Sequence, residues 1–361
     1  MSSTQSIELS DLGWNVFFEK HFKDNQIVDC VPGRISIEHN NFYRVFTSDG
    51  EFLAELSGGL RHDANGSQDL PAVGDWVAIK INDNQTGTIK AVLPRKNNFS
   101  RKAAGNPTER QIIVANIDTV FLVSGLDGDF NLRRLERYLV AAAQSSVTPV
   151  IILNKSDLCK SLDETLLAVQ SIALDVNVHT TSCLKDMGID PLKSYLNKGK
   201  TVAFLGSSGV GKSTIINRLL GFNKQATQQV RKRDQKGRHT TVSRQLLIRS
   251  QGGLIIDTPG MRELKLWDTT DALEETFSDI NSLQSNCRFR DCQHDSEPGC
   301  AVQEAVKTGR LLSDRLHHYH RLEKERAALE KKREEQKQAI ENHQNKRTEH
   351  SPRRSRRLSY D

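Results

Sequence analysis

Between Val28 and Leu93 apolar and polar positions alternate in short runs, CVPGRISIEHN, NFYRVFTSDGEFLAEL and PAVGDWVAIKINDNQTGTIKAVLP, each broken by Gly, Asn, Asp or Pro. A period of two sends successive side chains to opposite faces, so this stretch predicts several short strands closing into a small barrel. The polar segment NNFSRKAAGNPTERQ follows, with Pro94 at its edge, and marks a domain boundary. From Ile112 the texture changes. Apolar strand candidates (IIVANIDTVFLVSGL, TPVIILN, TVAFLG, GLIIDTPG) alternate with helical patterns such as LRRLERYLVAAAQSS. That alternation predicts a parallel sheet with helices on both faces. After Leu264 the pattern turns helical and polar, and a charged helix is expected from roughly Leu311 to Asn342. The last stretch, NKRTEHSPRRSRRLSYD, has no periodicity and is expected to be disordered. No internal repeat is present.

Composition narrows the class. The chain has 361 residues, of which 36% are apolar and 27% charged, a balance that fits neither a membrane protein nor a chain disordered throughout. Its length predicts two or three domains. No run approaches the roughly 18 apolar residues of a spanning helix, and the start MSSTQSIELSDLGWNVFF lacks the basic and apolar blocks of a secretory signal. A cytoplasmic protein without membrane partners is expected. Lys and Arg number 51 against 45 Asp and Glu, a net 51 − 45 = +6. That excess is modest, and its distribution matters more than its size.

Three segments carry phosphate and base chemistry. Gly206-Ser207-Ser208-Gly209-Val210-Gly211-Lys212-Ser213 lies between the apolar run TVAFL and the helical pattern TIINRLL that begins at Thr214, which is GxxxxGKS in strand, loop, helix context, with Thr214 counted among the nucleotide-binding residues. Glycines let backbone N–H groups approach phosphate oxygens, Lys212 can reach the β- and γ-phosphates, and Ser213 can hold Mg²⁺. Asp257-Thr258-Pro259-Gly260 follows the strand GGLIID, so Asp257 would emerge at a strand end beside the Mg²⁺ shell and Gly260 would offer its N–H to the γ-phosphate. Asn154-Lys155-Ser156-Asp157 closes the strand VIIL. A carboxylate there accepts both the ring N–H and the exocyclic amine of guanine. Adenine offers no such donor pair, which disfavours an ATPase. Asn154 would tie the loop to its neighbours, and Lys155 would lay its alkyl stem against the base. Ser182-Cys183 would be the companion loop touching the base through backbone N–H.

The order of these segments is unusual, because Asn154 precedes Gly206, which precedes Asp257. A site built from strand ends converging in space survives such a rearrangement. One consequence is that the segment after Asp257 leads directly into the C-terminal part. Of six cysteines, Cys287, Cys292 and Cys300 fall within fourteen residues and interleave with His294. Three thiolates and one imidazole match a closed tetrahedral Zn²⁺ site with no position left for water, hence a structural metal, one per chain.

Together the motif order, the N-terminal barrel and the C-terminal metal cluster resemble the circularly permuted, ribosome-small-subunit-dependent GTPases, the RsgA or YjeQ family, over about Val28 to Glu325. The resemblance implies an OB-type β-barrel, a circularly permuted α/β P-loop GTPase domain and a C-terminal helical zinc-binding domain, acting in late maturation of the small (30S) ribosomal subunit. On this frame the chain divides into an N-terminal extension (1–27), the OB-fold (28–105), the GTPase domain (106–270), the zinc domain (271–325), and a charged helix with a basic tail (326–361). Gly237-Arg238-His239-Thr240-Thr241 resembles the family's first switch, with Thr241 or Thr240 completing the Mg²⁺ shell.

Met261 stands where many GTPases place a water-orienting glutamine. A thioether cannot orient water, so His239 is the nearest titratable candidate for that role, beside Lys212 and Thr241 as catalytic groups. Basic residues recur at Arg95, Lys96, Arg101, Lys102, Arg231, Lys232, Arg233 and Arg353 to Arg357, where they either form solvated faces or contact rRNA phosphates. The expected activity is GTP hydrolysis to GDP and phosphate, coupled to release from the subunit, by a monomer. The alternative is a nucleotide-regulated RNA-binding module with vestigial hydrolysis.

Overall fold

The computed structural model describes residues 7–24, 28–39, 42–64, 66–82, 84–103, 106–128, 130–173, 175–221, 244–258, 273–274 and 276–349. The alternating N-terminal region forms five strands, β1 (Val31–His39), β2 (Phe42–Thr47), β3 (Gly50–Leu56), β4 (Trp76–Ile81) and β5 (Thr86–Val92). They pair in the order β1-β2-β3-β5-β4 and close through β4 on β1, with β3 and β5 parallel. This is the closed small barrel that the alternation predicts, and it is of the OB type that the resemblance implies. A bulge between Ile35 and Ile37 lets β1 bend enough to serve both neighbours. Ile35, Tyr43, Val45, Ala54, Val77, Ile79 and Ile89 fill the interior.

The residues read as an extension pack against this barrel. Helix α1 (Val16–Asp24) carries buried Phe18, and Trp14 meets Trp76 with ring centroids 4.7 Å apart. Buried Arg34 donates to the carbonyls of Leu12, Gly74 and Asn116. Helix α2 (Gly58–Asp63) links β3 to β4. The polar segment read as a boundary is an antiparallel hairpin, β6 (Asn98–Ala103) with β7 (Asn106–Ala115).

Next come β8 (Thr119–Gly125), α3 (Leu132–Gln144), β9 (Thr148–Asn154), α4 (Leu162–Ile172), β10 (Asn177–Thr180), β11 (Thr201–Leu205), α5 (Lys212–Leu220), β12 (Gln245–Ile248) and β13 (Leu254–Asp257). Their sheet order is β10-β9-β8-β11-β13-β12, parallel except for β12, which runs antiparallel to β13. Alternate side chains sort the two faces. Val120, Leu122, Ile151, Leu153, Ala203 and Ile256 share one core with Leu135, Leu139 and Ala142 of α3, and with Val169 and Ile172 of α4. Phe121, Val123, Ile152, Val202, Phe204 and Ile255 face the other way, onto Leu192 and onto Ile215, Ile216 and Leu219 of α5. Helices thus cover both faces, as the apolar runs predict. At its other edge β12 pairs with β1, among the described residues at the rung Ile37↔Gln245, which joins barrel and nucleotide sheet.

The C-terminal part comprises α6 (Ser278–Gln284), α7 (Ala301–Lys307) and α8 (Ser313–Glu349), the last starting two residues later and ending seven later than the charge pattern suggests. Its apolar residues Phe277, Ile280, Val302, Leu316 and Leu322 join the core beneath α3. Among the described residues no helix is long and apolar enough to cross a membrane.

Candidate nucleotide and metal sites

Every nucleotide motif within the described residues stands at the carboxyl end of a parallel strand or just beyond it. Gly206 ends the run of β11, Asn154 ends β9 and Asp257 ends β13, so three segments far apart in sequence meet at one rim of the sheet. Ligands of open parallel sheets bind at that rim.

The phosphate loop is shaped by backbone demands that only glycine meets cheaply. Gly206 has φ +155, and a Cβ there would stand 2.3 Å from the Val123 carbonyl oxygen. Gly211 has φ +99 at the N-cap of α5, where a Cβ would come within 2.2 Å of Asn154 Nδ2. Val210 is buried and anchors the loop, while Ser208, Gly209, Ser213 and Thr214 are exposed on its open side. Lys212 Nζ donates to the Gly206 and Ser207 carbonyls, both at 2.6 Å. Its ammonium is therefore held over the mouth of the loop. The first turn of α5 leaves its N–H groups facing the same space, and the helix dipole favours an anion there.

Asn154 binds the base-side loop to the phosphate loop. Its side chain is buried, donates through Nδ2 to the Val210 carbonyl at 2.8 Å, and accepts at Oδ1 from the Thr181 hydroxyl at 3.0 Å. Asp157 is half-buried and accepts from the Ser182 hydroxyl at 2.5 Å, so the companion loop Ser182-Cys183 is fastened to the carboxylate expected to read guanine. Cys183 lies beside the same pocket, its Sγ 3.7 Å from Asn154 Oδ1, and burial pushes its thiol pKa up. Arg218 of α5 closes the loop from outside, donating to the Cys183 carbonyl at 3.1 Å and pairing with Asp186. Thr258, just past Asp257, is buried and donates to the Phe204 carbonyl, which locks the end of β13 to the phosphate strand.

Two partners escape sequence reasoning. Thr181 has no motif around it; its role follows only from β10 lying parallel beside β9. Asp127 follows β8, and its carboxylate takes the Lys155 ammonium at 2.5 Å. His239, Thr240, Thr241, Gly260 and Met261 lie outside the described residues, as do Arg231 to Arg233 and Arg353 to Arg357.

At the C-terminal end Cys287, Cys292, His294 and Cys300 converge, their ligand atoms all within 4.8 Å of one another. Cys287 Sγ stands 3.9 Å from Cys300 Sγ, and His294 Nδ1 stands 3.7 and 3.5 Å from these two sulfurs. Tetrahedral coordination with metal–sulfur bonds of about 2.3 Å and metal–nitrogen bonds of about 2.0 Å gives edges of about 3.8 and 3.5 Å. The cluster therefore fits a metal ion, and no water need complete it. Burial opposes the Cys287 thiolate, yet the N–H groups of Val302 and Ala301 at the start of α7, together with the Cys300 and Cys292 side chains, lower its thiol pKa. Gln303 ties His294 down by donating to its carbonyl at 2.6 Å. Glu297 collects the N–H groups of Gln293, Asp295 and Ser296 and shapes the loop between the ligands.

This arrangement has close relatives. A family model described as RsgA GTPase matches residues 92–267, and one described as 50S ribosome-binding GTPase matches residues 201–346. A protein of Opitutus terrae named small ribosomal subunit biogenesis GTPase RsgA is 44% identical over 329 residues, which span 88% of this chain and 90% of that protein. In Lactiplantibacillus plantarum a small ribosomal subunit biogenesis GTPase RsgA 2 is 46% identical over 295 residues, 82% and 83% of the two chains. The crystal structure of YjeQ from Thermotoga maritima matches with a TM-score of 0.61 at 28% identity, covering 82% of this chain and 99% of that one. With its guanine-side loop ahead of its phosphate loop and relatives of this identity along most of its length, the chain belongs to the RsgA family of circularly permuted GTPases.

Proposed function

We propose that this GTPase acts in late maturation of the small (30S) ribosomal subunit, binding the subunit with GTP and leaving it after hydrolysis. One observation carries the reading: Asn154 fastens the Asp157 loop to the phosphate loop through Val210, which presents a guanine-reading carboxylate and a phosphate cradle as one unit, in a chain whose relatives bear that function in their names.

In this reading Gly206 to Thr214 wrap the phosphates, Lys212 neutralises charge building between the β- and γ-phosphates, and Asp157 with Ser182 and Cys183 selects guanine. Lys155 and Ser156 complete the base-side loop. Ser213 and Thr241, aided by Asp257, would hold Mg²⁺, Gly260 would offer its N–H to the γ-phosphate, and the ion would supply electrostatic stabilisation of the transferring phosphoryl group. His239 positions the attacking water. Zn²⁺ on Cys287, Cys292, His294 and Cys300 is structural. The exposed basic residues contact rRNA phosphates, the chain works as a monomer in the cytoplasm, and its functional units are the spans 28–105, 106–270 and 271–325.

Turnover measured with and without purified 30S subunits tests the reading. Stimulation by two or more orders of magnitude, lost in His239→Ala with GTP affinity retained, is expected, since completion of GTPase sites in trans is worth about 10³ to 10⁵ in rate. Equal turnover with and without subunits would leave the nucleotide as a conformational ligand of an RNA-binding module.

A further inference from the structure

The base-side loop is held from a direction the motifs do not announce. Lys155 stands at φ +61, a left-handed conformation that L residues other than glycine rarely adopt. At this position the chain turns sharply from β9 into the short 3₁₀ turn Ser156–Leu158 that presents Asp157. Such a residue persists only where its surroundings fix it. Here two bonds from the segment after β8 do so. The Leu126 N–H donates to the Asn154 carbonyl at 2.8 Å, and the Asp127 carboxylate receives the Lys155 ammonium. Both side chains are about seven-tenths buried, with 31% of Lys155 and 28% of Asp127 exposed, so water screens the pair only in part. Gly125 leaves room for this fold-back, because a Cβ there would stand 3.2 Å from Asp127 Oδ1.

We propose that Asp127 is a positioning residue of the guanine site, acting through Lys155. By pinning the ammonium it fixes the course of the lysine's alkyl stem along one wall of the base pocket, and it holds the backbone turn that aims Asp157. The stem is the part that packs on a flat base; a free lysine would sample many rotamers and lose that freedom each time nucleotide binds. Asp127 therefore removes an ordering cost before the base arrives. The proposal rests on the reading of Asp157 as the guanine acceptor.

Fluorescent-GDP affinities of the full chain test it, with Asp127→Asn, Lys155→Ala, the double variant and Asp157→Asn. Asp127→Asn is expected to weaken GDP binding about three- to fivefold, the scale of a partly exposed ion pair, through faster dissociation. In the double variant the loss should equal that of Lys155→Ala alone, since both changes remove the same contact. Additive losses would show that Asp127 acts on folding or elsewhere, and an unchanged or tighter Asp127→Asn variant would overturn the proposal outright. Asp157→Asn separates the two readings: if it keeps GDP affinity the guanine assignment fails, and if it loses GDP and gains xanthosine diphosphate while Asp127→Asn does nothing, only the positioning role fails.

Discussion

At the scale of single residues, Gly211 shows how tightly the two loops are fitted. Its φ of +99 already excludes most side chains, and the Asn154 amide occupies the place where a Cβ would go. Gly211→Ala should break the Asn154 to Val210 bond and lower GTP and GDP affinity about tenfold or more, on the scale of 1–3 kcal/mol for enforced backbone strain. Nucleotide titration with a circular dichroism check of the fold measures it, and wild-type affinity would mean the loop can be rebuilt without that bond. His179 gives a pH test. Burial lowers its pKa from 6.5, and its ring nitrogen meets the Tyr195 hydroxyl at 3.0 Å. A base with a depressed folded pKa contributes stability above pH 6.5 that is lost as the pH falls through the folded value. Melting temperature should therefore fall less steeply between about pH 7 and 5 in His179→Gln than in wild type; parallel slopes would place the acid sensitivity elsewhere.

Among the elements, α3 carries the ion pairs between the nucleotide unit and the C-terminal part that are seen among the described residues. Its Glu136, 3% exposed, receives Arg315 at 2.6 Å and His318, both on α8, while Arg315 also pairs with Asp279 of α6. Arg133 and Arg137 of α3 extend the seam to Asp314 and Glu325. Glu136→Gln should remove one of the two carboxylates that Arg315 pairs with, leaving Asp279 beside the Thr276 carbonyl, and cost about 3 kcal/mol, the low end for breaking a buried ion pair. Denaturant unfolding and limited proteolysis of α8 would register it, and unchanged protection of α8 would show that apolar packing alone holds the seam.

The same seam marks where sequence reasoning stops. Alternation found the barrel, and the apolar runs found the two-faced sheet, because burial on one face or two imprints a period. Asn154, Asp157, Lys212 and Asp257 were legible because phosphates and guanine demand fixed residue types at fixed spacing. Glu136, Arg315 and His318 read only as charges on polar helices, since nothing local says which face another helix will cover. Thr181 and Asp127 depend on strands brought together across tens of residues. The hairpin β6–β7 was hidden by its polar composition, and α1 by its place ahead of the barrel pattern.

For the whole molecule, the proposed metal would cross-link Cys287, Cys292, His294 and Cys300 and so tie the loop before α7 to that helix. Chelation, or Cys292→Ser, should remove about one metal per chain by elemental analysis and unfold the C-terminal part first, leaving guanine nucleotide binding largely in place. A metal-free chain with full helicity would refute the structural role.

The backbone pairing of barrel and nucleotide sheet at Ile37 and Gln245 sets up a mechanical relation. Gln245 faces Ile37 of the barrel on one side and Asp257 on the other, so a cross-strand row runs from the barrel to the carboxylate at the end of β13. Around this row Trp76 and Leu93 share a core with Val120, Leu246 and Ile256, and Arg34 donates to the Asn116 carbonyl, so a push along the row is carried by a packed seam. Small movements of β12 with the state of the γ-phosphate would therefore reach β1 of the barrel directly. Amide hydrogen exchange at Ile37 and Gln245 should then differ between the GDP-bound chain and one bearing a non-hydrolysable GTP analogue, while β2 and β3 exchange alike in both; identical exchange at the rung would mean that the barrel and the nucleotide keep no common time.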